Sequence, residues 1–139
     1  MILVSACLVG INCKYNGGNN LSEKVLDFVK GHEVIPVCPE VMGGLPTPRL
    51  CSEIVNGVVT ASDGHSVDQE FRKGARIGLE LAKEQDVDLV ILQSRSPSCG
   101  VKQVYDGTFS GNKIAGQGIF AQLLTENGFR IVDVEDLDS

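Results

Sequence analysis

Four short stretches of the chain are apolar and largely β-branched along most of their length: Ile2–Ala6, Glu33–Val37, Asp88–Gln93 and Arg130–Val134. None of them alternates between apolar and polar positions. Unbroken apolar character over so few residues predicts strands buried on both faces, as in a parallel sheet. Between these runs the apolar positions recur at helical spacing. Ser22–Lys30 carries Val25, Leu26, Phe28 and Val29 on one face and stops at Gly31, a natural helix terminator. Val67–Gln85 is the clearest helical segment, with Val67, Phe71, Ala75, Leu79 and Ala82 in register. Ser66 followed by Gln69 predicts a capping box at its start. A last helix is expected from about Gly118 to Asn127, with Ile119, Phe120, Leu123 and Leu124 inward and Gly128 as its stop.

Strands that alternate with helices imply right-handed crossovers and an α/β fold of three layers around a mostly parallel sheet, Rossmann-like or flavodoxin-like. No GxGxxG fingerprint is present. The excursion 39–65 holds Pro39, Gly43, Gly44, Pro46 and Pro48, and then a hairpin signal at Asn56-Gly57 between Glu53 and Ala61. With no repeat, linker or low-complexity tract, residues 1–139 read as one domain, and 139 residues suffice for a core that needs no disulfides.

Composition narrows the function classes. Hydrophobic residues make up 42% and charged residues 22%, which is ordinary globular composition. A formal net charge of −6 removes any general attraction to nucleic acid, so the expected partner is a small molecule bound at a local site. No apolar run reaches the ~20 residues of a membrane-spanning helix. The segment from Met1 to Cys7 lacks the basic start and long apolar stretch of a signal peptide, and a cytoplasmic protein is expected.

Five cysteines, Cys7, Cys13, Cys38, Cys51 and Cys99, are the unusual feature. An odd count in a reducing compartment argues for thiols, metal ligands or a nucleophile over a disulfide framework. Most free cysteines are simply small buried apolar residues, but position argues against that here. Ligands of open α/β sheets bind outside the carboxyl ends of the strands. Cys7 and Cys38 directly follow the first and second predicted strands, and Cys99 lies six residues beyond the third. Cys13 sits in a loop that can reach the same crevice, whereas Cys51 has no such positional argument. Several thiolates brought to one point repel unless a cation or cluster neutralises them. Thiolate sulfur suits zinc, Cu(I) or iron–sulfur clusters. The CxxC pairs of zinc knuckles are absent.

Glu40 stands two residues after Cys38 on a turn stiffened by Pro39. A carboxylate beside a partly buried cluster suits general acid–base work; a surface or capping role is the plainer alternative. Ser96 and Ser98 flank Pro97 in a rigid loop able to present hydroxyls to a substrate, although such residues also make ordinary turns. Gly116-Gln117-Gly118 brings backbone N–H groups to a helix start, where an anion or carbonyl oxygen could bind. His32 and His65 look peripheral.

Five ordered motifs then carry a resemblance: Val4-Ser5-Ala6-Cys7-Leu8; Cys13-Lys14-Tyr15-Asn16-Gly17; Pro36-Val37-Cys38-Pro39-Glu40 with Gly43-Gly44-Leu45-Pro46-Thr47-Pro48-Arg49; Ser96-Pro97-Ser98-Cys99-Gly100; and Tyr105-Asp106-Gly107-Thr108-Phe109-Ser110-Gly111. Over essentially its whole length the chain resembles the family catalogued as domain of unknown function 523, some members of which are thiouracil desulfidases. In those, a [4Fe–4S] cluster held by three cysteines leaves one iron open to the substrate sulfur. The resemblance implies Cys7, Cys38 and Cys99 as cluster ligands, with Cys13 as the substitute, and Glu40 with Ser96 or Ser98 as assisting groups. It also implies a non-redox desulfidase that converts a thiolated pyrimidine such as thiouracil to uracil and sulfide, with the iron as Lewis acid and Glu40 assisting water attack. The chain departs from the family pattern at Asn16, where an aspartate is common, and at Gln93, where a lysine is common. A zinc or other thiolate-metal hydrolase, and a non-catalytic module that senses a small molecule or cluster, are the alternative readings of the same cysteines.

Overall fold

Residues 1–137 are described by the computed structural model. In chain order the elements are β1 (Ile2–Ser5), α1 (Glu23–Val29), β2 (Val34–Val37), α2 (Pro39–Met42), β3 (Ser52–Val55), β4 (Val58–Ala61), α3 (Asp68–Glu84), β5 (Leu89–Leu92), β6 (Gln103–Tyr105), β7 (Lys113–Ala115), α4 (Ile119–Glu126) and β8 (Ile131–Asp133). Short 3₁₀ turns follow β1 at Ala6–Val9 and β8 at Val134–Asp136.

The four apolar runs form one fully parallel sheet in the order β2-β1-β5-β8. Successive residues of a strand face opposite sides, and here each side is covered. Leu3, Val37, Val90 and Leu92 join a core with Phe71, Ala75 and Leu79 of α3 and Phe120 and Leu124 of α4. Ile2, Val4 and Ile91 join a second core with Val25 of α1, Leu8 and Leu137. This is the expected three-layer α/β arrangement. Two small antiparallel hairpins, β3–β4 and β6–β7, lie apart from the main sheet. The first is the one expected from Asn56-Gly57, and both residues occupy the left-handed region that such a turn demands.

Local signals hold at most helix ends. Ser22 caps α1 by accepting the Val25 N–H, and Gly31 and Gly128 take positive φ just past α1 and α4. The capping box at Ser66/Gln69 does not form. Val67 is the N-cap of α3, and the Ser66 hydroxyl accepts only the Asp68 N–H at 3.3 Å. Asp68 ties the helix start to its neighbour instead, accepting the Val59 N–H of β4 at 2.9 Å and Arg72 Nε at 2.8 Å.

Two features fix the site. The chain leaves β1 toward β2 on one side, and returns across to β5 on the other, which opens a crevice at the carboxyl ends of β1 and β5. The short helix α2 then packs backbone to backbone on α3. A Cβ on Gly43 would stand 1.9 Å from the Glu70 carbonyl oxygen, and one on Gly74 1.7 Å from that of Pro39. Only glycine permits that approach.

Candidate functional site

Residue pairing in the sheet sets the first two thiols side by side. Ser5 lies opposite Val37, so the chain emerges from adjacent strands directly into Ala6-Cys7 and into Cys38. Cys7 and Cys13 belong to the core on the α1 side, and Cys99 to the core on the α3–α4 side. They meet across the carboxyl edge of the sheet. Cys7, Cys13, Cys38 and Cys99 all line one cavity of about 720 Å³, within the ~300–1,000 Å³ usual for small-molecule sites.

The thiols are electrically distinct. Hydrogen bonding with Cys13 lowers the pKa of Cys7 and of Cys38 and raises that of Cys13 itself, and the Cys38 thiol also approaches the Cys13 carbonyl oxygen at 3.8 Å. For Cys7, that hydrogen bond outweighs burial, helped by the Asn20 amide at 3.5 Å and by Lys14. For Cys38, the bond from Cys13, the Val41 N–H and the Arg49 charge outweigh burial and Glu40, and bring the thiol down to about 7. Burial pushes Cys99 up to about 12, only partly offset by the Ser5 and Ser98 hydroxyls beside it, and the charges of Cys38 and Cys7 raise it further. Two of the thiols are therefore biased toward the soft anion, and a cation placed among the four would recruit the others.

Glu40 opens α2 with Pro39 at the first helical position. Its Oε1 accepts from Arg49 Nε at 3.1 Å and Nη2 at 3.0 Å, and its Oε2 accepts from the Ser98 hydroxyl at 2.9 Å. Arg49 also donates to the carbonyls of Cys13 at 2.9 Å and Pro46 at 3.1 Å and to Thr47 Oγ1. With side chains only 8% and 15% exposed, Arg49 and Glu40 form a nearly buried ion pair. This pair ties the Cys13 loop to α2.

The two serines have different places. Ser96 Oγ accepts the N–H groups of Ser98 and Cys99, both at 3.1 Å, which leaves its proton for Ser98 at 2.8 Å. The hydroxyl dipoles then run from Ser96 through Ser98 to Glu40. Ser98 touches the carboxylate, while Ser96 stands behind it. The loop is clamped by the start of α4. Gly118 N–H donates to the Gly100 carbonyl, Ile119 N–H to that of Pro97, and Phe120 and Ala121 N–H to that of Ser98. The anion-binding role expected for Gly116-Gln117-Gly118 is thereby corrected: Gly116 N–H is taken by the Lys102 carbonyl, and the helix start holds the Cys99 loop.

Arg49 is the functional residue that sequence reasoning misses. Its one signal is a lone cation closing the stiff run Pro46-Thr47-Pro48, nine residues after Glu40. Cys51, for which the sequence offers no positional argument, is exposed on the wall of the same cavity. Asn20, Ser94, Gln93, Arg95, Tyr105 and Phe109 line it as well. Asn16 does not. Its Oδ1 accepts the Gly18 N–H, a turn that an aspartate would make equally well. His32 and His65 lie outside the cavity lining as expected, and His65 pairs with Asp63.

A family model described as 2-thiouracil desulfurase matches residues 2–136. The chain is 43% identical to the uncharacterized protein YbbK of Bacillus subtilis (strain 168), over 99% of this chain and 98% of that one. Among solved structures it is similar to the [4Fe-4S]-dependent thiouracil desulfidase TudS, with a TM-score of 0.92 and 37% identity over 98% of this chain and 91% of that chain. The family model spans nearly every residue, and the chain belongs to the 2-thiouracil desulfurase family.

Proposed function

We infer that the protein removes sulfur from a thiolated pyrimidine base such as thiouracil, giving uracil and sulfide without net electron transfer. The observation that carries this reading is the meeting of four thiols with the Glu40–Ser98 pair in one cavity, in a chain of this family.

The donor set suits an iron–sulfur cluster. Among the described residues no three His, Cys, Asp or Glu side chains converge tightly enough to hold a single metal ion. A four-iron cluster is wider than one ion and takes its thiolates from more separated positions. All-sulfur donors, two of them with lowered pKa values, match its chemistry. Cys7, Cys38 and Cys99 come from three chain segments and would hold it, with Cys13 beside Cys7 and Cys38 as the alternate ligand. When bound through three cysteines, such a cluster supplies one iron as a Lewis acid for a soft sulfur.

The remaining roles belong to the chain. Glu40 assists water at the carbon that bears sulfur and moves the proton, held in place by Arg49 and Ser98. Ser98 donates to Glu40 and orients its carboxylate, and Ser96 in turn orients Ser98. The test is turnover of 2-thiouracil or 4-thiouracil by protein loaded with iron and sulfide under exclusion of oxygen. Uracil is expected from the loaded protein and not from the unloaded protein. Cys7→Ser, Cys38→Ser and Cys99→Ser are each expected to lose iron because a hydroxyl is a poor soft-metal ligand, whereas Cys51→Ser keeps it. Iron retained by Cys7→Ser and lost by Cys51→Ser would reverse the ligand assignment.

A further inference from the structure

The loop 105–111 reaches the cavity from the β6–β7 hairpin and is anchored to β3 from outside the thiol cluster. Glu53 Oε1 accepts two backbone N–H groups of this loop, from Gly107 at 3.0 Å and Phe109 at 3.2 Å. Gly107 lies against β3 so closely that a Cβ would stand 2.6 Å from the Ile54 carbonyl oxygen. Phe109 is held at φ +57, between Gly107 at +91 and Gly111 at +85. A bulky side chain rarely occupies that region. The result is an exposed aromatic ring: Phe109 is 37% accessible and, with Tyr105, lines the cavity that holds the thiols and Glu40. An apolar ring kept partly in solvent at a cavity wall, by a backbone conformation it disfavours and by a carboxylate clamp, has a face available to a flat partner.

We propose that Phe109 is a substrate-binding residue that stacks on the planar heterocycle, and that Glu53 is a positioning residue that acts through it by fixing the 105–111 loop. This rests on the reading of the substrate as a thiolated pyrimidine and adds what grips its ring. Contact through a ring face is tolerant of substituents, so the wall binds 2-thio and 4-thio isomers and the uracil product alike. Discrimination among them falls to groups near the sulfur. Because the stack is present before and during reaction, its loss raises KM and leaves kcat nearly unchanged.

The experiment uses the full chain and two readouts. In loaded protein, Phe109→Ala is expected to raise the KM for 2-thiouracil by about 5- to 150-fold, the range for losing one base–aromatic stack, with kcat within about twofold. Phe109→Trp is expected to keep the parent KM. Glu53→Ala is expected to approach the Phe109→Ala value, and Glu53→Gln, whose amide oxygen still accepts both N–H groups, to restore most of the loss. The Glu53→Ala/Phe109→Ala double variant should be no worse than Phe109→Ala alone, since Glu53 acts through the ring. The chain contains no tryptophan, so Phe109→Trp also gives a single fluorophore at the wall, and its emission is expected to be quenched by 2-thiouracil and by uracil. An unchanged KM in Phe109→Ala would overturn the proposal, as would additive losses in the double variant. If the parent does not turn over thiouracil but the fluorescence of the Phe109→Trp variant still responds to these pyrimidines, the desulfidase reading falls while the aromatic wall stands. No response and no turnover would remove both.

Discussion

The Gly43–Gly74 contact gives a sharp test of how the fold places its chemistry, because it lies outside the cavity. In isolation, Gly74→Ala should stabilise α3, since alanine is favoured over glycine within a helix by about 0.8–1 kcal/mol. The structure reverses that sign. The new Cβ would stand 1.7 Å from the Pro39 carbonyl oxygen and 2.6 Å from its carbon, where a carbon–oxygen contact needs at least ~3.3 Å. The obstacle is backbone, so α2 must retreat by roughly 1.5 Å from α3. Overpacking of this kind costs ~1–3 kcal/mol, which leaves a net loss of up to about 2 kcal/mol after the gain in propensity. The functional cost is larger. Pro39 sits between Cys38 and Glu40, so both move with it, and a displacement of ~1 Å at reacting groups can cost about 10²-fold. Urea unfolding of the cluster-free protein and turnover per bound iron measure the two effects separately. A Gly74→Ala variant more stable than the parent and fully active would refute this account of the α2–α3 contact.

Other expectations concern the supports of the site. Gly118→Ala would place a Cβ 2.5 Å from the Ser98 carbonyl carbon, so it should displace the Cys99 loop and reduce iron loading, read by iron analysis, with a stability loss of ~1–3 kcal/mol. Arg49→Ala leaves Glu40 nearly buried without its cation and should destabilise the protein by about 3–5 kcal/mol in urea; Arg49→Lys should rescue little, since one ammonium cannot replace the fork that spans Glu40, Cys13 and Pro46. Burial works against the Asp68 carboxylate, but the Val59 N–H and Arg72 hold it below its usual range. Its contribution is therefore full above about pH 4 and is lost as pH falls through the lowered folded value. The stability gap between the parent and Asp68→Asn should shrink on acidification, and a gap that widens would contradict the sign.

The sheet is legible because its central strands β1 and β5 are buried on both faces, and each of the four strands leaves a continuous apolar run in the sequence. The same logic locates the Cys7, Cys38 and Cys99 edge without coordinates, since strand ends of a parallel sheet share one side. Helix α2 escapes because four residues show no helical period, and its packing is written in two glycines thirty-one residues apart. Hairpin β6–β7 escapes for a similar reason. Val104 is its buried apolar residue while Ile114 is exposed, so the segment reads as a glycine-rich loop. Arg49 and Cys51 reach the cavity only because the chain from α2 to β3 returns over the carboxyl edge, a tertiary event with no local signature. The Gly116–Gly118 segment shows the opposite error: its pattern suggests free N–H groups where carbonyls of Pro97, Ser98, Gly100 and Lys102 already occupy those of the helix start.

Sulfur removal by this protein is proposed to be cluster-dependent, non-redox and assisted by Glu40. It is tested most directly by incubating anaerobically loaded protein with 2-thiouracil, without any electron donor or acceptor, and measuring uracil and sulfide together for the parent and for Glu40→Gln. Equal amounts of the two products are expected from the parent, and the Glu40→Gln variant is expected to keep its iron but to be slower by about 10²–10⁴-fold. A fully loaded parent that releases neither product, or a Glu40→Gln variant as fast as the parent, would contradict it.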